Sequence, residues 1–313
     1  MTSPDTVAVI IPTFNSARFI ERALSSALQE HVSEIIVIDD ASTDDTVEVV
    51  QREAQRNGMI RLIRQNVNRG PSAARNRGVA ASTAAWLATL DADDAFQPGR
   101  ISSLLKLAAE HEAELVSDNL TYYNAFTQTV LGPAVHPDPP VQRVTLEKLF
   151  RSTPDHGQDY VVLMPLIKSE FLRRHAIRYN EEIRNGEDFD LVAHCLVAGG
   201  SFVADLSMST YLYTSRESGT SVAAISDNAA VRQAKAWLRH PAFSSSPERR
   251  QLVKDRVEIL RRRELDRHAG GATGSQRLAI LVRALQSPAG RRWAINWSLA
   301  RLRRLAGEAI GGR

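Results

Sequence analysis

Ala85-Trp86-Leu87-Ala88-Thr89-Leu90-Asp91-Ala92-Asp93-Asp94 reads as a buried strand that ends in a burst of carboxylates. Acids are costly inside a core unless they are paired or bound to a cation. Three within four residues at a strand end therefore point to a site at the edge of a sheet. Asp91 and Asp93 stand two apart, so in extended backbone they face the same side. That arrangement suits a divalent cation or a ribose hydroxyl, and it equally suits a plain polar turn. The flanking chain separates these readings.

Upstream, Val7-Ala8-Val9-Ile10-Ile11, the stretch 34–38 and the stretch 60–63 are further apolar runs, continuous as in strands buried on both faces. Between them lie helical patterns. Ser16 is placed to cap a helix running to about residue 29. Ser42 with Asp45 resembles a capping box for a helix to about residue 57. Asn68-Arg69-Gly70 is a turn, and Pro71 at a first helical position opens a helix to about residue 81. Strands alternating with helices imply a doubly wound, mostly parallel α/β sheet. Ligands of such sheets bind at the carboxyl ends of strands near the topological switch point. Those ends here carry Thr13-Phe14-Asn15, Asp39-Asp40 and Asp91-Ala92-Asp93. A nucleotide is the natural ligand, yet neither GxGxxG nor GxxxxGK[ST] occurs, which argues against dehydrogenases and P-loop proteins.

Downstream, the pattern predicts a helix over 101–111, a mixed-face strand over 115–123, a surface loop over 124–145, a strand over 161–167 and a short helix over 168–175. Asn185-Gly186 is a turn that leads into a helix over 187–197. Residues 202–213 form a strand region, and 214–221 read as a loop. Four helices follow, over 226–239, 247–267, 276–286 and 290–306. The expected domains are residues 1–222, carrying the sheet, and a basic helical extension, 223–313.

At 313 residues and 43% hydrophobic composition the chain can bury a real core. The single cysteine, Cys195, excludes an intramolecular disulfide framework and fits a reducing compartment. The histidines show no paired metal-ligand spacing. No leader peptide is read, and no apolar run approaches the roughly 20 residues of a spanning helix. The expected location is cytoplasmic, soluble or peripheral on the inner face of the membrane. The net charge of +3 hides an asymmetry: residues 225–313 carry 19 Lys and Arg against 7 Asp and Glu, while residues 1–224 carry 20 against 29. Such asymmetry favours an anionic partner for the tail. The stretch 293–305 (Trp293, Trp297, Leu302 and Leu305 with interleaved arginines) is amphipathic at helical spacing. It suits an interfacial helix on an anionic membrane, or a helix packed on the rest of the chain or on a second subunit. Nucleic acid is not expected as a partner, because no recognition motif accompanies the basic residues.

Five stretches together resemble the family 2 glycosyltransferases of GT-A fold: Val9-Ile10-Ile11-Pro12-Thr13-Phe14-Asn15, the run from Ile36 through Asp39-Asp40 to Asp44, the run from Asn68-Arg69-Gly70 to Gly78, Leu90-Asp91-Ala92-Asp93-Asp94, and Gly186-Glu187-Asp188-Phe189. They cover about residues 5–220. The last is most similar to bacterial exopolysaccharide glycosyltransferases of the succinoglycan type. The Gln-x-x-Arg-Trp motif and membrane spans of processive synthases are absent, so addition of single sugars is expected.

The resemblance implies an inverting hexosyltransferase that uses a UDP-sugar donor and a saccharide acceptor, which can be linked to polyprenyl diphosphate. Pro12, Thr13, Phe14 and Asp40 would then form the nucleobase pocket. Asn68, Gly70 and Arg75 would face the diphosphate, with Arg216 closing over it. Asp91 and Ala92 would meet the ribose or sugar. Asp93, with Asp91, would hold Mg2+ or Mn2+. Asp188 would be the general base, with Glu187 as its fallback or as an acceptor ligand; carboxylates there also suit a helix N-terminus. A subunit that binds sugar nucleotide or glycan without catalysis is the alternative, and the intact Asp93 and Asp188 argue against it. A nucleotidyltransferase would carry a Gly-rich basic loop after the first strand, where Pro12-Thr13-Phe14-Asn15-Ser16 stands instead.

Overall fold

The computed structural model describes residues 5–124, 127, 129–153, 158–215 and 227–270. Its contacts divide the chain into two compact units, residues 1–223 and 224–313.

The first unit runs β1 (Val7–Thr13), α1 (Ile20–Leu28), β2 (Glu34–Asp39), α2 (Thr46–Arg56), β3 (Ile60–Arg64), α3 (Pro71–Ala81), β4 (Trp86–Thr89), β5 (Ala95–Phe96), α4 (Arg100–His111), β6 (Leu115–Asp118), β7 (Leu120–Asn124), β8 (Thr129–Pro133), β9 (Val141–Arg143), α5 (Leu146–Phe150), β10 (Leu166–Lys168), α6 (Ser169–Arg174), α7 (Glu187–Val197), β11 (Phe202–Asp205) and β12 (Tyr211–Ser215). Eight strands form one sheet in the order β3-β2-β1-β4-β10-β6-β11-β9. The strands β3, β2, β1 and β4 are parallel, as the apolar runs predict. Val7–Ile11 and Ile35–Ile38 are almost completely buried, because helices cover both faces of a parallel sheet. The chain moves outward from β1 through β2 to β3, then returns to the other side of β1 as β4. The switch point lies between β1 and β4. Thr13 pairs with Asp39 and Ile10 with Thr89, so the carboxyl ends of these strands share one edge.

The second half of the sheet is mixed. β10 lies antiparallel between β4 and β6, and β9 is an antiparallel edge. A second sheet, β5-β12-β7-β8, stands apart from it. The expected strand over 115–123 is therefore two strands in two sheets. Asn119 breaks it: its side chain donates to the carbonyls of Val135 and Leu206 and accepts from the amides of Leu120 and Val135, replacing ladder bonds at the crossing. The strand expected over 161–167 begins only at Leu166, because Pro165 has no N–H to donate. Residues 160–162 form a 3-10 turn instead. The loop expected over 124–145 holds β8 and β9.

Local caps also differ from expectation. Ser16 does not cap α1, which starts at Ile20; its carbonyl accepts from the amides of Phe19 and Ile20 in a preceding turn. The predicted box at α2 does not form. Ser42 Oγ accepts from Asn15 N, and Asp44 accepts from Thr46 N at 3.1 Å and from Ala17 N at 3.2 Å. α4 is capped from a distance: Glu30 accepts from Gly99 N and Ile101 N, both at 2.8 Å. Gly78 lets α3 lie directly on β1, since a Cβ there would collide with Ile10. Arg100 is wholly buried. Its guanidinium stacks on Phe96 and Tyr211 at 4.9 and 5.3 Å, pairs with Asp118 at 2.9 Å and donates to Met164 O.

The second unit contains α8 (Asp227–Ala236), α9 (Pro241–Ser244) and α10 (Pro247–Gly270), packed around Val231, Trp237, Phe243 and Val253. The expected helices over 276–286 and 290–306 lie outside the described residues. No helix among the described residues is long and apolar enough to cross a membrane.

Candidate active site

The polar ends of β1, β2 and β4 meet the start of α3 and the start of α7. Asp40, just past β2, is buried, and its carboxylate accepts from Gln65 Nε2 at 2.7 Å, Arg69 N at 2.8 Å and Gly70 N at 2.7 Å. Both oxygens are therefore engaged with the turn that opens α3. Asp40 shapes the pocket by fixing that turn, and Gly70 there takes a φ of 89°, which favours glycine. A side chain at Gly70 would also collide with Arg184. Asn68 is exposed and accepts from Arg184. Pro12 is half-buried and Phe14 is 47% exposed at the mouth of the crevice. Thr13 is buried, and its hydroxyl has no hydrogen-bond partner among the described residues.

Arg75 is the hub. It projects from α3 and is 3% exposed. One nitrogen donates to Asp91 Oδ1 at 2.7 Å and lies 3.7 Å from Asp188 Oδ2, while the other makes a close contact with Glu187. The resemblance has Arg75 facing a diphosphate; in the structure its guanidinium lies among three carboxylates. A guanidinium has five donors and stays charged when buried, which suits this duty. Burial opposes its charge, but the surrounding carboxylates raise its pKa well above the ordinary value.

Glu187 and Asp188 open α7, after Gly186 at a φ of 81°. Glu187 is buried against Arg75, while Asp188 keeps 26% of its side-chain surface open. The Asp188 carboxyl is raised from 3.8 to about 7: burial is the largest cause, opposed by Arg75 and reinforced by the negative Glu187 and Asp91. A carboxylate that titrates near neutrality beside a crevice is suited to general base chemistry.

The turn after β4 closes with Asp94 N donating to Asp91 O at 3.0 Å. Asp91 and Asp93 are half-buried and Ala92 is buried. Asp94 is turned inward, where it accepts from Tyr211 Oη at 2.8 Å and Thr214 N at 2.7 Å. Burial, then the charges of Asp93 and Asp91, raise its pKa well above the carboxylate range. Arg22, on α1, donates to Asp93 O and Thr214 Oγ1 and lies over the Tyr123 ring, pinning this turn from behind.

Of the residues the sequence singles out, the structure joins Asp40 to Gly70 and gathers Asp91, Glu187 and Asp188 around Arg75. Arg22, Gln65, Tyr179 and Tyr211 are supporting residues that no sequence pattern marks. Tyr179 carries no motif and lies in a stretch without periodicity; only its burial beside Arg75 singles it out. Arg216 lies outside the described residues.

A crevice at the β1/β4 switch point, lined by acids and backed by a mixed second half, defines a GT-A type fold. In agreement, the structure is similar to S. aureus TarS 1–349 in complex with UDP-GlcNAc, with a TM-score of 0.67 at 18% identity over 88% of this chain and 79% of that chain. The profile described as Glycosyl transferase family 2 matches residues 8–176. The chain belongs to glycosyl transferase family 2. It is 32% identical to the succinoglycan biosynthesis protein ExoO of Rhizobium meliloti over 329 aligned positions, covering 98% of this chain and 88% of that protein. It is 34% identical to ExoU of the same organism over 64% of this chain, a match that spans 59% of ExoU. It is also 34% identical, over 36% of this chain and 38% of that protein, to a Campylobacter jejuni GalNAc(5)-diNAcBac-PP-undecaprenol beta-1,3-glucosyltransferase.

Proposed function

We propose that the chain is an inverting, non-processive hexosyltransferase that moves a sugar from a UDP-sugar to a hydroxyl of a saccharide, carried on a polyprenyl diphosphate, in exopolysaccharide synthesis. The observation that carries this reading is Asp188, a partly open carboxyl 3.7 Å from the Arg75 nitrogen that also binds Asp91, with its pKa raised to about 7 chiefly by burial. The names of ExoO and ExoU support the polysaccharide pathway, and the undecaprenol-linked substrate in the Campylobacter relative's name supports a lipid-linked acceptor. TarS, with its UDP-GlcNAc, supports a uridine donor.

Asp188 takes the proton of the acceptor hydroxyl as that oxygen attacks the anomeric carbon from the face opposite the leaving nucleotide. Arg75 keeps Asp91, Glu187 and Asp188 together despite their mutual repulsion. The backbone of 12–14, at the carboxyl end of β1, meets the nucleobase in this reading, with the exposed Phe14 at the mouth of the crevice. Asp40 serves through the 68–70 turn. Glu187, spent on Arg75, acts as a positioning group, with acceptor hydroxyls left to Asp188.

The donor set fits Mg2+ or Mn2+ as a shared ligand. The turn offers only hard carboxylate oxygens, from Asp93 and the second oxygen of Asp91, and among the described residues no group of three His, Cys, Asp or Glu could enclose a metal. An ion held so sparsely needs diphosphate oxygens and water to complete its shell. When bound it offsets the charge that develops on the leaving nucleoside diphosphate.

Purified protein with Mn2+ should transfer or hydrolyse at least one of a panel of sugar nucleotides; a silent panel overturns the reading. Asp188→Asn should lower transfer by about 10³-fold or more while nucleotide binding persists. Loss of binding instead would remove Asp188 from the base role.

A further inference from the structure

Residues 177–186, between α6 and α7, form neither helix nor strand, yet they deliver Glu187 and Asp188 to Arg75. Backbone without regular structure needs other partners for its buried N–H and C=O groups. One face of α3 supplies them. Asn76 holds the buried Tyr179 at both polar atoms: Tyr179 N donates to Asn76 Oδ1 at 2.9 Å, and Asn76 Nδ2 donates to Tyr179 O at 2.9 Å. The same Nδ2 donates to Glu181 Oε1 at 3.1 Å. Ser72, one turn earlier on that face, donates to Ile183 O at 3.0 Å. Arg69, just before the helix, pairs with Glu181 Oε2 at 2.8 Å. Arg75 stands next to Asn76 in the chain and lies over the Tyr179 ring, 5.5 Å from guanidinium to ring centre. A single turn of α3 therefore fixes the cation that gathers the carboxylates and the segment that brings two of them.

We propose that Asn76 is a positioning residue for the transfer step: its amide seats residues 179–181 on α3 and so sets Asp188 beside Arg75. This rests on the proposed role of Asp188 as base. The residue type is specific to the task. A carboxamide carries a donor and an acceptor on separate atoms, so it satisfies the N–H and the C=O of one residue together. An aspartate of the same size cannot donate, and here it would face a carbonyl and the Glu181 carboxylate. The donor half of the crevice has its own fastening, because Asp40 accepts from Arg69 N and Gly70 N without Asn76. Loss of the clamp therefore displaces the base and leaves the nucleotide pocket in place.

The test uses the full chain with UDP and Mn2+ for binding and with UDP-glucose and Mn2+ for turnover. Asn76→Asp should lower kcat about tenfold or more and leave the UDP dissociation constant within about twofold. Hydrogen exchange, which needs no turnover, should quicken about tenfold at the amides of 177–190 and stay unchanged in β1 and β2. Adding Glu181→Gln to Asn76→Asp removes the facing carboxylate and offers an N–H to the new one, so the double variant should regain about threefold or more in kcat. Asn76→Ala, which removes the clamp without adding charge, carries the same expectations for kcat, binding and exchange if Asn76→Asp does not fold. Unchanged kcat and exchange, an equal loss of UDP affinity, or a double variant as slow as Asn76→Asp overturns the proposal. An active Asp188→Asn overturns the base reading instead, so the two failures are distinct.

Discussion

At the scale of the residue, the cost of Asp188 is legible in its protonation. Its carboxyl is raised from 3.8 to about 7 in the folded chain. Folding therefore favours the protonated form: the side chain is harmless to stability below about pH 4 and destabilises progressively as pH rises towards 7. Asp188→Asn should accordingly raise the melting temperature by a few degrees at pH 8 and leave it nearly unchanged at pH 4, as calorimetry would show. The same titration sets activity: kcat/KM should fall below about pH 7 as the base is protonated, and a profile flat to pH 5 would remove Asp188 from that role. Such positions follow partly from sequence. Gly186-Glu187-Asp188-Phe189 could be matched because adjacent residues carry the pattern. Tyr179 could not, since its partners Arg75 and Asn76 lie on α3 and Thr89 on β4, about a hundred residues away.

At the scale of the element, the parallel half was legible and the mixed half was not. β1, β2 and β4 announce themselves as apolar runs because both of their faces are covered. β10 has three residues and sits antiparallel between β4 and β6, too short to show any period. The second sheet was hidden because a half-buried strand pair, β7 and β12, breaks the alternation that marks one buried face. Two features make this scale testable. Glu30 satisfies two amides at the start of α4 from outside the helix; Glu30→Ala should cost about 2 kcal/mol in urea unfolding. Gly78→Val should cost about 1–3 kcal/mol by forcing α3 away from Ile10; unchanged stability would mean that α3 and β1 can separate freely.

At the scale of the whole molecule, charge is the remaining signal. The first unit is acidic and the second basic, and α10 alone carries Arg249, Arg250, Lys254, Arg261, Arg262 and Arg263. Basic helices bind anionic bilayers through both charge and apolar area. In flotation with vesicles containing anionic lipid, the full chain should rise with the lipid and a 1–224 chain should not; equal flotation would assign attachment to the first unit.

The bond between Arg75 and Glu187 joins residues 112 apart in the chain, whereas Asp40 meets Gly70 across 30. Closing long loops costs more entropy and comes with more ways to reopen. The pocket half of the crevice is thus a local product of the first βαβ units, and the half that carries the base is hinged on a remote segment. Proteins open first where few local contacts hold. Mild heat or denaturant should therefore uncouple grip from turnover: sugar transfer should be lost while nucleotide affinity and the far-UV signal of the sheet persist, a sequence of losses that parallel activity, binding and dichroism measurements would resolve.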